Sequence, residues 1–512
     1  MVIGDIIKKK AKDCPQRTAT VSGDMRYSFG ELNERVNRLT NALVALGMRK
    51  GDKVAILAKS SPKHIEALFA AAKGGMVWIP INPNMPEEVI SHIISDSEVD
   101  AFIFEDNYSA LVDSIRPQLG TVRNFLVIGR SPNEGRSYEE LLSSYPSDEP
   151  RIEVSEDNLC AICYSSGTTG LPKGIMLTHK NLFSQMLHTI SAWHMRPDDV
   201  LLMLFGYQHC VLVEVGLALS HVGGTNVTTG DNFAPELILE NIAREKVTIL
   251  FGPPNLTVPP LDHPNAGGYD LSSLRLMIHA AATLPVEVLK NLIANYGNIF
   301  GQSYGSQEQG LTVFHSLEEA VIGRAEEPRE TASSVGKGVV KGEVRVVNEE
   351  GGDVNPGEIG EIITRGDHVM KGYWKLPEVT MEAMRGGYYY TGDLATVDEE
   401  GYIYLTGRKK DVIVSGEKKI YPEEVEEVIY RHQSILEAAV IGVPDAELGE
   451  SLKAIVVLRE GKRATAEEII KLCAQSLATY AVPGAVEFVN RLPRNPTGKV
   501  LKRELRERYS SR

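Results

Sequence analysis

The chain has 512 residues, 43% of them hydrophobic and 24% charged, which is more apolar material than one ordinary core holds, so at least two domains are expected. A formal net charge of −14 excludes a general nucleic-acid binder, which needs a basic footprint to displace counterions, but it leaves room for a small anion held by a local nest of N–H groups. Apolar residues never run for the roughly eighteen positions that a membrane span needs, and "MVIGDIIKKKAKD" lacks the apolar core of a secretory signal, so a cytoplasmic location is expected.

From about residue 27 to 300, helical patterns alternate with short apolar strands. "FGELNERVNRLTNALVALG" reads as an amphipathic helix ending at Gly47, "DKVAILA" as a strand, "HIEALFAAAKGG" as a helix and "MVWIPIN" as a strand. The strand "LCAICY" precedes "YSSGTTGLPKG", and a helix follows for which Thr178 is the predicted N-cap, with Leu182, Met186 and Ile190 recurring at i+4. "VTILFGP" and "LRLMIHAAA" continue the strand series. Such alternation predicts an α/β fold, a large N-terminal domain of layered, mostly parallel sheets.

Between about 335 and 409 the pattern changes to period two around glycine-rich turns, as in "GEVRVVNEEGGDVNPGEIGEIITRG", which predicts an antiparallel β subdomain. Beyond it, a helix opening at Pro422, the strands "EAAVIGV" and "LKAIVVL" and the helix "AEEIIKLCAQSLA" suffice for a separate α+β domain of roughly 100 residues. The five cysteines, Cys14, Cys160, Cys163, Cys210 and Cys473, make no disulfide framework. Cys160 and Cys163 form a C-x-x-C inside an apolar run with no second ligand pair, so core packing is expected rather than a metal site. His209 and Cys210 are adjacent, and on a strand they would face opposite ways, a poor geometry for a nucleophilic dyad.

"YSSGTTGLPKG" (164–174) sits between strand and helix, the right context for a phosphate loop, but Pro172 before Lys173 and Gly174 after it rule out a Walker A loop. Alone, such a string is a surface turn as readily as a phosphate site. The full string resembles the signature loop of the adenylate-forming superfamily, which contains acyl-CoA synthetases, firefly luciferases and the adenylation domains of nonribosomal peptide synthetases. Its further motifs appear in order: "QSYGSQEQG" (302–310) is similar to Tyr-Gly-x-Thr-Glu, "YYYTGDLATVDEEGYIYLTGRKKD" (388–411) to the Thr-Gly-Asp and Gly-Arg-x-x-Asp segments, and "LPRNPTGKVLKRELR" (492–506) to the C-terminal lysine motif.

The resemblance implies domains of 1–409 and 410–512, the second mobile about a hinge at Lys410, with ATP, Mg²⁺ and coenzyme A as cofactors and co-substrates. Attack by a carboxylate on the α-phosphate brings anions together, so cations and fixed donors are required. By resemblance the loop supplies Ser165, Ser166, Gly167, Thr168, Thr169, Gly170 and Lys173 to the phosphates, and Glu308 with Thr169 holds Mg²⁺. Tyr304 is expected to stack on adenine, flanked by Gln302, Ser303 and Gly305, while Ala280, Ala281 and Ala282 border the adenine and the acyl tunnel. Gln307 stands where the family has threonine and would offer an amide N–H to the α-phosphate. Asp393 and Arg408 resemble the ribose-binding pair. Lys499 resembles the catalytic lysine that bridges the acyl carboxylate and the α-phosphate, so Lys499, Glu308 and Thr169 form the implied catalytic set. "GEKKIYP" (416–422) departs from the family's Gly-Gly-Glu-Asn-Ile-Tyr-Pro at Glu417 and Lys418.

His209, Cys210, Val213, His279 and Gly301 are the candidate substrate-pocket residues. A histidine at 209, where amino-acid-activating relatives carry an aspartate, argues against an amino-acid substrate, as does the lack of a carrier-protein segment after residue 512. Gly206 stands where the family has proline. The expected function is an acyl-CoA synthetase acting on a medium-chain, branched or aromatic carboxylic acid: acyl-AMP and pyrophosphate form first, then the CoA thioester. The alternatives are an acyl-AMP ligase loading a carrier protein, another non-CoA adenylating or nucleotide-binding relative, and a kinase or ATPase. No nucleic-acid partner and no membrane span are expected, and a homodimer is left open.

Overall fold

The computed structural model of the chain describes residues 1–130, 135–165, 171–208, 210–281, 284, 286–316, 334–339, 342–416, 418–494 and 500–510, with the side chains of 210–213, 286, 287, 316 and 510 outside that description. Two large sheets form the body. The first orders its strands Gly372–Tyr373, Gly174–Thr178, Leu159–Tyr164, Val77–Ile81, Lys53–Leu57, Ala101–Glu105, Asn124–Ile128 and Arg136–Ser137. It is parallel from Val77–Ile81 to Asn124–Ile128, and Gly174–Thr178 turns back antiparallel on Leu159–Tyr164. Every residue of "VWIPI" is buried, as a strand covered on both faces requires.

The second sheet runs Lys337–Gly338, Gly310–Ser316, Phe300–Ser306, Leu276–His279, Ile249–Gly252, Val200–Met203, Thr225–Thr228, Thr18–Ser22 and Met25–Ser28. Residues of both sheets, such as Trp78 and Phe251, share one core with the helices Phe29–Ala45, Pro62–Lys73 and His179–Ala192, so these helices fill the layer between the sheets. Pro62–Lys73 is buried along its whole length. The helix starts are set locally. Ser28 and Glu31 form a capping box, as do Thr178 and Asn181, where the Asn181 N–H donates to Thr178 Oγ1 at 3.1 Å.

An antiparallel five-stranded sheet follows: Glu343–Val347, Gly360–Arg365, Tyr388–Val397 and Met384–Arg385, with Ile403–Arg408 paired to Tyr388–Val397. The last sheet is mixed, since Ala485–Phe488 lies parallel on Gly449–Leu458 while the other strands are antiparallel. Its alternating residues feed two cores: Val440, Ala454 and Val456 pack on the helices Pro422–Tyr430 and Ala466–Ser476, while Ile441, Ile455 and Val457 pack on Leu505 and Tyr509.

Two expectations differ. Cys210 opens the helix Cys210–Val222 rather than continuing a strand, because "VLVEVGLALS" is apolar but for Glu214 and Ser220 and carries no period that separates buried helix from buried strand. Cys160 is a buried free thiol, as core packing predicts, whereas Cys163 carries a disulfide.

Candidate active site

The glycine loop leaves one strand and returns to the next. Its two ends are laced together: Ser165 N–H donates to the Lys173 carbonyl at 2.9 Å, and Lys173 N–H donates to Ser165 Oγ at 3.1 Å. Gly174 closes the loop against Trp374, whose N–H donates to its carbonyl at 2.7 Å. Ser166, Gly167, Thr168, Thr169 and Gly170 lie outside the described residues, as do Ala282, His209, Glu417 and Lys499, and the side chains of Cys210 and Val213.

From this loop a chain of contacts crosses to the β subdomain. Lys173 Nζ lies 5.4 Å from the Tyr373 ring centroid, a cation–π distance. Tyr373 donates its hydroxyl to Glu308 Oε1 at 3.2 Å, and the Glu308 carbonyl accepts from Met370 N–H at 2.7 Å. Burial, then the charge of Glu308, raises the Tyr373 pKa and keeps the phenol protonated. Tyr389, 4% exposed, is raised in the same way by burial and then by Glu308. Sequence reasoning missed both tyrosines, because nothing in "KGYWK" or "YYYTG" separates a structural aromatic from one beside a carboxylate.

The second half of the site is set by strand register. Asp393 pairs with Arg408 across an antiparallel ladder, which places the two side chains together, and Arg408 Nε donates to Asp393 Oδ1 at 2.5 Å. Tyr304 donates its hydroxyl to Asp393 Oδ2 at 2.8 Å. Burial alone would disfavour the Arg408 guanidinium, but the Asp393 carboxylate reverses that and raises its pKa. Lys410 sits in the short turn Lys409–Asp411; burial, then the charge of Arg408, lowers its pKa.

The hairpin between these halves is tight. At Gly305 a Cβ would collide with the Gly310 carbonyl, and at Gly301 it would crowd Ile278 and Phe314, so neither position admits a side chain without displacement. Ser303 Oγ accepts from Trp193 Nε1 at 3.3 Å, and Gln302 pairs with His315 across the hairpin. Gln307 Oε1 is buried without a hydrogen-bond partner among the described residues. A half-turn of the amide exchanges this oxygen for the NH₂ group, so the side chain can present either an acceptor or a donor at this spot. Ala281 holds φ at +68°, a left-handed backbone rare outside glycine, immediately after Ala280 at the strand end.

One predicted pocket residue stands apart. Ile278 and Ala280 belong to the core shared by the two sheets, but His279 alternates to the opposite face. There its ring stacks on Phe300 at 6.1 Å, and its Nδ1 shares a hydrogen bond of 2.9 Å with Thr257 Oγ1. Burial lowers its pKa to about 4 and keeps it neutral, so His279 is a core histidine on the far side of the sheet from Ala280. Sequence reasoning also missed Glu214, which is completely buried in the helix Cys210–Val222, where Oε1 accepts from Leu311 N–H at 3.0 Å.

The C-terminal region is tied to the strand that carries Arg408. Lys502 binds Glu423 at 3.0 Å and Glu426 at 2.8 Å, and Arg506 binds Asp411 at 3.0 Å. Glu423 Oε2 rests where a Cβ of Gly407 would stand. Among the described residues no group of three or more His, Cys, Asp or Glu is placed to hold a metal ion. Glu308 as a lone carboxylate therefore fits Mg²⁺, which is completed by substrate phosphates and water, and does not fit a metal that needs an all-protein cage.

The chain matches the family model described as "AMP-binding enzyme" over residues 7–374 and the model "AMP-binding enzyme C-terminal domain" over 424–499. It is 34% identical to a feruloyl-CoA synthase of an Amycolatopsis species over 501 residues, covering 98% of each chain. It is 33% identical to the long-chain-fatty-acid–CoA ligase FadD13 of Mycobacterium tuberculosis over 514 residues, 99% of each. The fold is similar to that of ATP-bound MatB from Rhodopseudomonas palustris, with a TM-score of 0.89, 30% identity and coverage of 100% of this chain and 99% of the other.

Proposed function

Because the chain belongs to the AMP-binding enzyme family, in its acyl-CoA synthetase branch, we propose that it joins a carboxylic acid to coenzyme A through an acyl-adenylate. A carboxylate oxygen of the acid attacks the α-phosphorus of ATP, the bond to the β-phosphate breaks, and pyrophosphate leaves. The thiolate of coenzyme A then attacks the acyl carbon and AMP departs. The observation that carries this reading is the convergence of Tyr304, Asp393 and Arg408 into one hydrogen-bonded clamp, joined through the Gly305 hairpin to Glu308, Tyr373 and Lys173 at the mouth of the glycine loop.

In this reading Asp393 accepts from the ribose hydroxyls, exchanging its bond to Tyr304 for them. Arg408 donates to the other oxygen of that carboxylate and fixes its orientation. Lys173 and the loop N–H groups hold the departing phosphates, and Lys499 orients the attacking carboxylate. Bound Mg²⁺ neutralises charge on the phosphate oxygens, and Glu308 is the residue that would hold it. Residues 1–409 carry the nucleotide in this scheme, and 410–512 swing about Lys410 between the two steps. Coenzyme A as acceptor rests on the names of the relatives. Those relatives are named for an aromatic acid and for fatty acids, so both classes belong in the test.

Purified protein is incubated with ATP, Mg²⁺ and a panel of aromatic, branched and medium-chain acids, with and without coenzyme A, and the nucleotide products are separated. AMP, pyrophosphate and a thioester that appears only with coenzyme A are expected. ADP as the product overturns adenylation, and AMP release without thioester formation moves the acceptor to a carrier protein or another nucleophile.

A further inference from the structure

Glu308 and Lys173, the two groups of opposite charge assigned to the metal and the phosphates, rest on the same side chain. Tyr373 donates its hydroxyl to Glu308 Oε1 at 3.2 Å, and its ring centroid lies 5.4 Å from Lys173 Nζ. Among the described residues no ion pair joins Lys173 to Glu308, and Glu308 Oε2 has no hydrogen-bond partner.

The ring is placed by its backbone from both sides. The strand Gly372–Tyr373 pairs antiparallel with Gly174–Thr178, with Tyr373 opposite Ile175, so the tyrosine is fastened to the strand that begins immediately after Lys173. Trp374 N–H donates to the Gly174 carbonyl at 2.7 Å and Lys371 N–H to the Met176 carbonyl at 2.9 Å. On the far side, Tyr373 N–H donates to Thr380 Oγ1 at 2.9 Å, which ties it to the helix Pro377–Ala383. Met370, three residues earlier, holds the Glu308 carbonyl. Residues 370–374 thus fix the main chain of Glu308, its carboxylate and the end of the glycine loop together. Tyr373 is buried, and Tyr389, from the strand that carries Asp393, lies beside it.

The chemistry requires these two charges to be near each other and yet unpaired. Glu308 has to offer an oxygen to Mg²⁺ and Lys173 its N–H groups to phosphate, and a direct ion pair would occupy both. A phenol meets this need, since its face attracts the cation while its hydroxyl takes one carboxylate oxygen and leaves the other open. We infer that Tyr373 is a positioning residue for adenylation, a spacer that orients the Glu308 carboxylate with its hydroxyl and seats the Lys173 ammonium on its ring. This rests on the adenylation reading above. Losing an outer hydrogen bond to a metal carboxylate typically weakens metal binding by about 10- to 100-fold.

The test measures ATP binding by calorimetry across a Mg²⁺ series, with no acid present so that no turnover occurs. Tyr373→Phe keeps the ring and drops the hydroxyl, and is expected to raise the Mg²⁺ concentration for half-maximal binding by about 10-fold. Tyr373→Leu is expected to show that shift and also to weaken ATP binding at saturating Mg²⁺ by a further factor of about 2 to 5. Placed on Glu308→Gln, Tyr373→Phe should move the Mg²⁺ series no further, and on Lys173→Met the difference between Phe and Leu should vanish. A merely structural role weakens binding alike in every background. A Mg²⁺ series unmoved in Tyr373→Phe, or a shift of full size that persists with Glu308→Gln, overturns the assignment. If the wild type still yields AMP and pyrophosphate, that failure is this inference's alone, whereas ADP as the wild-type product overturns the adenylation reading and this one with it.

Discussion

Replacing Glu214 by glutamine is expected to change how stability depends on pH. The carboxyl has a folded pKa of about 8 against a reference of 4.5, with burial as the main cause. A raised acid pKa means that the folded chain keeps a proton which the unfolded chain has lost, so the stability due to this group is full below pH 4.5 and falls as pH rises to about 8. Between pH 5.5 and pH 8.0 the loss works out at about 3 kcal/mol, at 1.36 kcal/mol per pKa unit. Glutamine keeps an acceptor for the Leu311 N–H and does not titrate, so Glu214→Gln removes this slope. Trp78 and Trp193, each 1% exposed in the core shared by the two large sheets, report its unfolding by fluorescence. Urea titrations of both proteins at the two pH values should show the variant gaining about 3 kcal/mol on the wild type at the higher pH. An equal difference at both pH values refutes the reasoning, since it would mean that Glu214 is ionised in the folded state or that water reaches it.

Two further substitutions probe the joints of the molecule. Lys502→Met strands Glu423 and Glu426, whose carboxylates it bridges, and is expected to destabilise the C-terminal region by about 3–5 kcal/mol, read as earlier cleavage of residues beyond 411 in limited proteolysis; adding Glu426→Gln should restore much of the loss. Asp393→Ala frees Arg408 and removes the acceptor at the clamp, and is expected to raise the KM for ATP by about 10- to 100-fold in pyrophosphate release, with kcat changed less.

Much of the architecture was legible because its signals are local. Thr178 is a cap because its hydroxyl accepts from an N–H three residues on, and Pro422 opens a helix because its missing N–H costs nothing there. The motif order likewise named Tyr304, Asp393 and Arg408 before the register between 393 and 408 brought them within hydrogen-bond reach. What the sequence hid depends on three-dimensional neighbours. His279 sits in "MIHAAA", where only the alternation of the strand against Ile278 decides which face it takes. Glu214 is one acidic residue in an apolar run, and its raised pKa comes from burial that no local pattern encodes. Tyr373 and Tyr389 acquire their meaning only from Glu308, more than sixty positions away in the chain.

Gly407 is where the clamp and the C-terminal helix meet. It holds φ at +141°, and the unpartnered Oε2 of Glu423 occupies the space that any side chain there would need. The strand that presents Arg408 is thus also the seat of the next helix. A rotation about Lys410 would lift Glu423 off that seat and return its carboxylate oxygen to water, and hydration of a charge is strongly favourable. In the rotation proposed above, the joint would carry its own solvation term: the seated arrangement keeps one carboxylate oxygen dry, leaving it would wet that oxygen, and part of the drive would then reside in the hinge and not in the ligand.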